Sequence, residues 1–243
     1  MTYGLISDIH ANIEALTAAL AELTSVDAFL CMGDIVGYGP DPIACIDRLQ
    51  SLPNLTCVAG NHDLAAIGRY SLDWFNDFAR AAIEWTGERL TADARSYLEG
   101  LDLTAELPDA FLVHGAYPDH MEYIVAPADA MGTFESMPVS PCFIGHTHVA
   151  EYYRNRKGAR HADSHSALLG CSIALKPDLR YIVNPGSIGQ PRDGNPDASF
   201  GIYDTKAQRL EIRRASYDIP AVQRKMREAR LPQHLIDRLP RGR

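Results

Sequence analysis

The sequence predicts an α/β fold in which short apolar strands each end at a polar residue. Five apolar runs are followed within two residues by a carboxylate, amide or imidazole side chain, at Asp8, Asp34, Asn61, His114 and His146. Segments with helical spacing of apolar residues separate the first of these runs. Open α/β sheets bind ligands at the carboxyl ends of their strands, so we expect a functional site where these runs converge.

The amino-terminal part alternates strands and helices. The predicted elements are, in order, a strand at 2–7, a helix at 13–23, a strand at about 27–32, a helix at 43–49 and a strand at 56–59. Pro42 stands in the first turn of the second helix, a position that proline favours. Gly33 ends the second strand and places Asp34 in the loop that follows. We therefore expect Asp34 to lie at the centre of the site.

Residues 64–105 form a predicted helical insertion between two of the strands that end at polar residues. Its Trp74, Phe78 and Trp85 recur at near-helical spacing, a stripe more typical of core packing than of stacking on a substrate. Both ends of the insertion are tied close to the expected site. It could therefore lean over that site as a partial cap, with Arg69 and Tyr70 nearest to a nucleoside or sugar group.

The second half of the chain is predicted to be richer in strands. Strands are expected at 111–113 and just before His146, with a helix from about 127 to 137 between them. Further strands without intervening helices, expected as a meander or second sheet, are predicted at 149–154, 166–175, 180–183, 199–203 and 210–214. A turn-rich loop at 184–194 interrupts them, and 219–239 should form two short helices. We expect a single domain over 1–243.

Composition narrows the classes of function. The 243 residues are enough for a substantial core, and the net charge of −8 argues against a scaffold that tracks nucleic-acid phosphates. The five cysteines form no CxxC pair, as expected of reduced thiols in a cytoplasmic protein. The first strand begins at once, which leaves no room for a signal peptide, and no apolar run is long enough to span a membrane. The oligomeric state cannot be predicted.

The polar residues at the strand ends suit a site for two divalent metal ions, with Asp34 as the candidate bridge. Asp8 and His10 lie two positions apart, so both can point at one ion from an extended backbone. His146 and His148 share that spacing, although a bent loop could let them serve different ions. Carboxylate, imidazole and amide ligands suit Mn, Fe or Zn, and composition alone does not choose among them.

Five short motifs resemble the ordered motifs of calcineurin-like metallophosphoesterases. They are Asp8-Ile9-His10, Gly33-Asp34, Gly60-Asn61-His62-Asp63, Val113-His114-Gly115 and Gly145-His146-Thr147-His148. Asn184-Pro185-Gly186-Ser187 resembles a later turn of small bacterial and archaeal members. The resemblance implies a four-layer α-β-β-α sandwich with two packed mixed sheets and a dinuclear metal site at the strand ends.

The same resemblance implies a role for each motif residue. One metal would be bound by Asp8, His10, Asp34 and His148, and a second by Asp34, Asn61, His114 and His146. A hydroxide bridging two metals about 3.5–4 Å apart can attack phosphorus in line. His62 would act outside the metal shell, stabilising the phosphoryl oxygens or protonating the leaving group, and Asp63 could orient it or raise its pKa.

Three further residues have two interpretations each. Asn12 could cap the following helix, which is its commoner role, or bind a substrate phosphate. Arg192 could clamp a phosphate through its guanidinium or form a surface ion pair. Asn184 could orient a ligand histidine or simply hold its turn.

The loop after Asp34 departs from the pattern of protein phosphatases. The phosphate-binding arginine of their Asp-Arg-Gly element is absent from 35–40. Its absence argues against phosphoprotein phosphatase and symmetrical dinucleoside tetraphosphate hydrolase activity. The leading hypothesis is a metal-dependent phosphoesterase acting on a small phosphodiester or phosphomonoester. The alternatives are a nucleotide or dinucleoside polyphosphate hydrolase, or a non-catalytic metal-binding scaffold; the complete motif set favours an enzyme.

Overall fold

Two six-stranded sheets form the centre of the molecule in the computed structural model, which describes residues 1–167 and 171–243. The first sheet has the order β3-β2-β1-β11-β12-β9 and the second β4-β5-β6-β10-β7-β8. The strands are β1 (Thr2–Ile6), β2 (Ala28–Cys31), β3 (Leu55–Cys57), β4 (Thr104–Leu107), β5 (Ala110–Val113), β6 (Cys142–Phe143), β7 (Ala150–Asn155), β8 (Asp163–Ser166), β9 (Cys171–Ala174), β10 (Arg180–Pro185), β11 (Ala198–Asp204) and β12 (Arg209–Ala215).

Both sheets are mixed, with a parallel half and an antiparallel half. Strands β1, β2 and β3 run parallel, and so do β5, β6 and β10. The remaining pairs, such as β1 with β11 and β10 with β7, are antiparallel. Parallel neighbours end at the same edge of a sheet, so the loops after these strands meet at one end of the molecule.

Helices cover the outer face of each sheet. They are α1 (Ile13–Ala21), α2 (Pro42–Gln50), α3 (Asn61–Ala66), α4 (Asp77–Arg89), α5 (Ala92–Glu99), α6 (Ala130–Ser136), α7 (Ile219–Glu228) and α8 (Gln233–Arg238), with 3₁₀ turns at Leu72–Trp74 and Leu239–Arg241. Buried side chains of α1, α2 and α5 pack with the outward residues of the first sheet, and Phe134 of α6 packs on the second. The predicted α-β-β-α layering is confirmed.

A separate apolar core lies between the sheets. Leu5 and Leu30 of the first sheet pack in one cluster with Leu112, Phe143 and Val183 of the second. Their neighbours Ile6 and Cys31 face the helices instead. The central strands are therefore buried on both faces, which explains why their sequences are continuous apolar runs instead of alternating patterns.

The strands after His148 do not form one meander as predicted. Strands β7, β8 and β10 join the second sheet, whereas β9, β11 and β12 join the first. Strand β11 is apolar on both faces, because Phe200 packs toward the helices and Tyr203 toward the other sheet. Such a strand belongs beside β1 at the sheet centre. The predicted strand at 166–175 is instead two strands in different sheets, and its residues 168–170 lie outside the described residues.

The insertion is helical as predicted up to β4, but its aromatic stripe is not in the core. Helix α4 buries Ala79, Ala82, Ile83 and Thr86, which recur at three- and four-residue intervals on its inner face. Trp74 is 78% exposed and Phe78 45% exposed, so the prediction that they pack in the core was wrong.

Helix α6 begins at Ala130, because the Asp129 carboxylate accepts hydrogen bonds from Val125 and Ala126 in a preceding turn. Of the helices in 1–167 and 171–243, none is long and apolar enough to cross a membrane.

Candidate metal centre

The loops after the parallel strands hold the polar side chains in an unusual backbone conformation. Asp8, His10, Asp34, His146 and His148 all have positive φ, between 48° and 69°. Residues other than glycine rarely adopt this conformation, and it is found where a site imposes it. Backbone hydrogen bonds join the first two loops: Asp8 N donates to Gly33 O at 3.0 Å and His10 N donates to Asp34 O at 2.9 Å.

Two glycines let these loops approach each other closely. A Cβ atom at Gly60 would lie 2.1 Å from an Asp34 carboxylate oxygen, and one at Gly145 would lie 2.0 Å from the Ser7 hydroxyl. Any larger residue would therefore push the carboxylate loops away from the histidine and asparagine loops. Packing around the site therefore requires glycine at both of these positions.

One cluster brings together Asp8, His10, Asp34 and His148, all buried, with candidate ligand atoms within 4.8 Å of one another. The Nδ1 atoms of His10 and His148 lie 3.1 and 2.7 Å from the carbonyls of Val36 and Gln190. Each Nδ1 must donate its proton there, which leaves a lone pair on each Nε2. The two Nε2 atoms face each other at 3.0 Å. Two lone pairs cannot bond to each other, so the arrangement calls for a cation between them.

A second cluster contains Asp34, His114 and His146, whose candidate ligand atoms also lie within 4.8 Å of one another. His114 Nδ1 donates to the Met32 carbonyl at 2.7 Å, so its Nε2 carries a lone pair whenever the ring is neutral. That Nε2 lies 3.1 Å from Asn61 Oδ1 and 3.0 Å from His146 Nδ1. Asn61 therefore presents its amide oxygen to this cluster, as the ligand prediction requires.

Asp34 connects the two clusters through a single atom. Its Oδ2 lies 3.5 Å from His10 Nε2 and 3.4 Å from His114 Nε2. Its Oδ1 is used separately, accepting a hydrogen bond from the His62 backbone N–H at 2.9 Å. Oδ2 therefore lies between the two clusters, and its role as a bridging ligand stays a prediction.

The electrostatics of the site favour added positive charge. Burial raises the pKa of Asp8 to about 7. Burial would also raise the pKa of Asp34, but the nearby histidines His114, His62 and His10 hold it well below its usual range. Burial also opposes protonation of His114, yet the charge of Asp34 outweighs it and raises the His114 pKa to about 10. A proton on His114 thus partly neutralises the buried carboxylate, a task that a divalent cation would perform more fully.

The chemistry of these donors fits two divalent metal ions. Carboxylate oxygens, imidazole nitrogens and one amide oxygen are suited to Mn, Fe or Zn. His146 Nε2 is buried and has no hydrogen-bond partner among residues 1–167 and 171–243. The assignment of individual ligands to each ion stays a prediction.

His62 lies beside the first cluster and is buried. Its ring contacts those of His10, Tyr38 and Phe75, with centroids 4.8, 4.4 and 5.0 Å away. Its Nδ1 has no hydrogen-bond partner in the described part of the chain. Burial lowers the pKa of His62 to about 4, so the imidazole is neutral near pH 7.

Asp63 has a different role from the one predicted. One carboxylate oxygen accepts hydrogen bonds from the backbone N–H groups of Ile35 and Val36, at 2.8 and 3.1 Å, and the other accepts from Gly60 N at 3.0 Å. Burial raises the pKa of Asp63 to about 7, although these hydrogen bonds act to lower it. The carboxylate holds the loops of Asp34 and Asn61 together rather than orienting the His62 ring.

We expect Asp63→Ala to destabilise the fold as well as the site. Three buried N–H groups would lose their acceptor, and the free energy of unfolding should fall by about 3 kcal/mol or more. Urea denaturation measures the change. Asp178→Ala is the control, because Asp178 is 60% exposed and pairs only at the surface with Arg156, which is worth less than about 1 kcal/mol. Equal midpoints for the two variants would contradict the positioning role.

Asn12 is a helix cap and not a substrate ligand, which corrects the second of its two interpretations. Its Oδ1 accepts from Ala15 N at 3.1 Å, and its Nδ2 donates to the Gly189 carbonyl at 3.0 Å. The side chain is 1% exposed and both of its polar atoms are engaged. The capping interpretation is confirmed.

The turn at 184–187 forms hydrogen bonds to the loop that carries His146 and to the loop that carries Asp8. Asn184 Nδ2 donates to the Gly145 carbonyl and to Thr147 Oγ1, on either side of His146. Its Oδ1 accepts from Gly186 N, so it also holds its own turn. Ser187 Oγ donates to the Asp8 carbonyl at 2.8 Å. The interpretation that Asn184 holds its turn is confirmed, and its orientation of a ligand histidine stays a prediction.

A cleft of about 670 Å³ opens over the second cluster, and Asn61 and His146 form part of its wall. The insertion contributes Tyr70, Trp74 and Phe75 to the lining. Tyr123 lies against His146, with ring centroids 3.7 Å apart. Arg69 is instead exposed and donates to the Glu99 carbonyl at 3.0 Å, so its predicted place beside the substrate was wrong.

Arg192 lies in the same cleft, half-buried. Its Nη2 donates to the Tyr38 hydroxyl at 3.2 Å. No carboxylate lies within 4.0 Å of its guanidinium in the ranges 1–167 and 171–243, so the surface ion-pair interpretation was wrong. The phosphate-clamp interpretation stays a prediction.

Sequence reasoning missed several residues that line the cleft, among them Tyr38, Tyr123 and Arg238. Tyr38 follows the Gly33-Asp34 motif closely and could have been suspected from that position. Tyr123 and Arg238 lie in segments without a motif, and only the folded chain brings them to the site.

Comparisons with known proteins agree with this architecture. Residues 1–208 match the model of the calcineurin-like phosphoesterase superfamily domain. An uncharacterized protein of Methanocaldococcus jannaschii is 35% identical over 99% of this chain and 98% of its own length. The crystal structure of a metallophosphoesterase from Sphaerobacter thermophilus is similar, with a TM-score of 0.89 and 41% identity over 100% of this chain and 99% of that one.

A more distant structure shares the fold. The hypothetical protein PH1004 from Pyrococcus horikoshii has a TM-score of 0.81 and 19% identity, over 100% of this chain and 98% of that one. At this identity the similarity concerns the fold alone. It extends through the carboxyl-terminal helices, which lie beyond the residues that the family model matches.

Proposed function

Because the chain belongs to the calcineurin-like phosphoesterase superfamily, we propose that it is a metal-dependent hydrolase of small phosphodiesters. The observation that carries the proposal is the place of Asp34 Oδ2, within 3.5 Å of an imidazole nitrogen of each cluster. Two metal ions sharing such a ligand would activate water for in-line attack and stabilise the charge on the phosphoryl group.

The residues of the chain prepare the site for this chemistry. The backbone carbonyls of Val36, Met32 and Gln190 bind the Nδ1 atoms of three histidines, so that each neutral ring would direct its Nε2 lone pair at a proposed ion position. His62 would donate a hydrogen bond to a phosphoryl oxygen. The overall reaction adds water across one P–O ester bond and releases an alcohol and a phosphomonoester.

Three features favour a small diester over a phosphoprotein. The loop after Asp34 has no arginine to hold a dianionic monoester. The cleft has room for a small molecule of nucleotide size, and the insertion covers one side of it. Arg192 is half-buried in the cleft, and its charge adds to the larger effect of burial in lowering the pKa values of His10 and His148. A polyphosphate substrate remains the second candidate, and an inert scaffold the third.

Steady-state kinetics of metal-depleted and reconstituted protein test the proposal. The protein should be loaded separately with Mn, Fe(II) or Zn, and kcat/KM measured for bis(4-nitrophenyl) phosphate, 4-nitrophenyl phosphate and a phosphopeptide. We expect the diester to be hydrolysed best and depleted protein to be inactive. Faster phosphopeptide hydrolysis would contradict the diester preference, and metal binding without any turnover would support a scaffold.

Tyr70 offers a prediction about substrate choice. Tyr70→Ala removes an aromatic wall of the cleft and should change the ratio of kcat/KM for aryl and alkyl diesters about threefold or more, the worth of one aromatic contact. Metal content should not change. Arg69→Ala is the matched control, because the side chain of Arg69, the residue before Tyr70, points away from the cleft and donates to the Glu99 carbonyl. If both variants keep the wild-type ratio, the insertion does not contact the substrate.

We also propose a cytoplasmic location, supported by the free thiols of all five cysteines.

A further inference from the structure

Two arginines line the cleft beside the candidate metal centre. Arg192 follows the turn at 184–187, and its backbone N–H donates to the His148 carbonyl at 3.1 Å. Arg238 ends α8, far away in sequence, and lines the same cleft. Both side chains are half-buried. The aromatic ring of Tyr38 lies between their two segments, 5.8 Å from the Arg192 guanidinium carbon.

Neither guanidinium has an Asp or Glu carboxylate within 4.0 Å in the part of the chain that the structure describes. Arg192 donates to the Tyr38 hydroxyl, whereas its buried Nε has no partner among the described residues. Arg238 donates from Nε to the Arg243 carbonyl. Both arginines line one cleft, and the pKa of Arg238 is lowered by burial and then by the charge of Arg192.

The carboxylates of the cleft do not neutralise this pair. Asp119 and Glu122 also line the cleft, but their charges act on Tyr70, whose pKa they help to raise after the larger effect of burial. Two cations that are partly removed from water in one cleft cost free energy unless an anion joins them. The metal ions would attract the reacting phosphate and leave the arginine pair without a partner of its own.

We propose that Arg192 and Arg238 form a subsite for a second anionic group of the substrate, next to the reacting phosphate. Guanidinium groups bind phosphate oxygens in bidentate geometry, so a second phosphate is the best match. The substrate class is then a phosphodiester that carries a further phosphate, such as an ester of a nucleoside bisphosphate. This inference rests on the proposed function for the identity of the reacting group.

The carboxyl-terminal helices hold Arg238 firmly in this place. Val222 of α7 and Leu235 of α8 pack in one apolar cluster with Tyr38 and with Ala79 of α4. The cluster joins these helices to the loop after Asp34 and to the insertion. Arg238 also lies outside residues 1–208, the part that the family model matches. Its contribution is therefore an addition to the shared site, suited to setting specificity.

Two thymidine esters that differ only in the second phosphate provide the kinetic test. Thymidine 5′-(4-nitrophenyl phosphate) carries one anionic group, and its 3′-phosphorylated form carries a second. With reconstituted wild-type protein, we expect the 3′-phosphate to raise kcat/KM about tenfold or more, the worth of a charge-assisted hydrogen bond. Arg238→Met should remove this gain, so that the ratio of kcat/KM for the two esters falls to about one. Arg241→Met, on the same segment but exposed, should keep it.

Calorimetry provides a second test that does not depend on turnover. Metal-loaded wild-type protein should bind thymidine 3′,5′-bisphosphate about tenfold more tightly than thymidine 5′-phosphate, and Arg238→Met should abolish the difference. If Arg238→Met does not fold, Arg238→Lys keeps the charge, loses the bidentate geometry and should lose part of the gain.

The outcomes separate this inference from the proposed function. Equal affinity of the wild type for the two nucleotides, or a difference that persists in Arg238→Met, would overturn the arginine subsite. Tight, Arg238-dependent binding of the bisphosphate without hydrolysis of either ester would support the subsite and contradict the hydrolase assignment.

Discussion

An Asp34→Asn variant is expected to lose both metal ions and nearly all turnover. The substitution removes the one charged oxygen that both clusters share, at 3.5 Å from His10 Nε2 and 3.4 Å from His114 Nε2. An amide cannot bridge two cations as a carboxylate does, so we expect kcat/KM to fall by roughly 10³-fold or more. Plasma mass spectrometry of the reconstituted protein should find far fewer than two metals per chain.

The fold itself should survive this change, because Asn keeps an acceptor for the His62 backbone N–H that now bonds to Asp34 Oδ1. Circular dichroism checks this point. Asp47→Asn, on the exposed face of α2, is the matched control and should keep full metal content and activity. Two tightly bound metals in Asp34→Asn would show that Asp34 is not the bridge.

His62→Ala should separate metal binding from substrate stabilisation. The ring lies against His10 and Tyr38, and its Nδ1 has no hydrogen-bond partner among residues 1–167 and 171–243, so removing the ring breaks no bond from Nδ1 to a neighbouring loop. We expect both metals to remain and kcat/KM to fall about 10²–10³-fold, as when one hydrogen-bond donor to a developing charge is removed. His161→Ala, at an exposed position, is the control and should change neither property.

The choice of leaving group decides what His62 contributes. Burial lowers its pKa to about 4, so at pH 7 the side chain is a neutral donor and a poor source of protons. We therefore expect similar losses for diesters with good and poor leaving groups. A loss that grows steeply as the leaving group becomes more basic would identify His62 as the general acid instead.

The positions of the candidate ligands were predictable because their signals are local. They follow parallel strands, most of which are buried on both faces, and parallel strands bring their carboxyl ends together. The roles of neighbouring residues were not local. Asp63 follows His62 in sequence, yet its carboxylate bonds to the backbone of Ile35, Val36 and Gly60. Which groups a buried carboxylate meets depends on loops that only tertiary structure brings together.

The cleft was harder to predict than the metal ligands for the same reason. The insertion has an aromatic stripe, but small residues such as Ala79 and Ala82 form its buried face and leave Trp74 exposed at the cleft. Arg238 is surrounded in sequence by ordinary helical residues, and its position follows from the packing of α7 and α8 on α4 and Tyr38. The partition of β9, β11 and β12 into the first sheet also depended on long-range packing.

The central claim is that Asp34 bridges two metal ions at the strand ends, and anomalous diffraction tests it most directly. Crystals of manganese-reconstituted protein should show two anomalous peaks about 3.5–4 Å apart, both within bonding distance of the Asp34 carboxylate. One peak should lie among Asp8, His10 and His148, and the other among Asn61, His114 and His146. Peaks absent from these clusters, or two ions that share a ligand other than Asp34, would contradict the account.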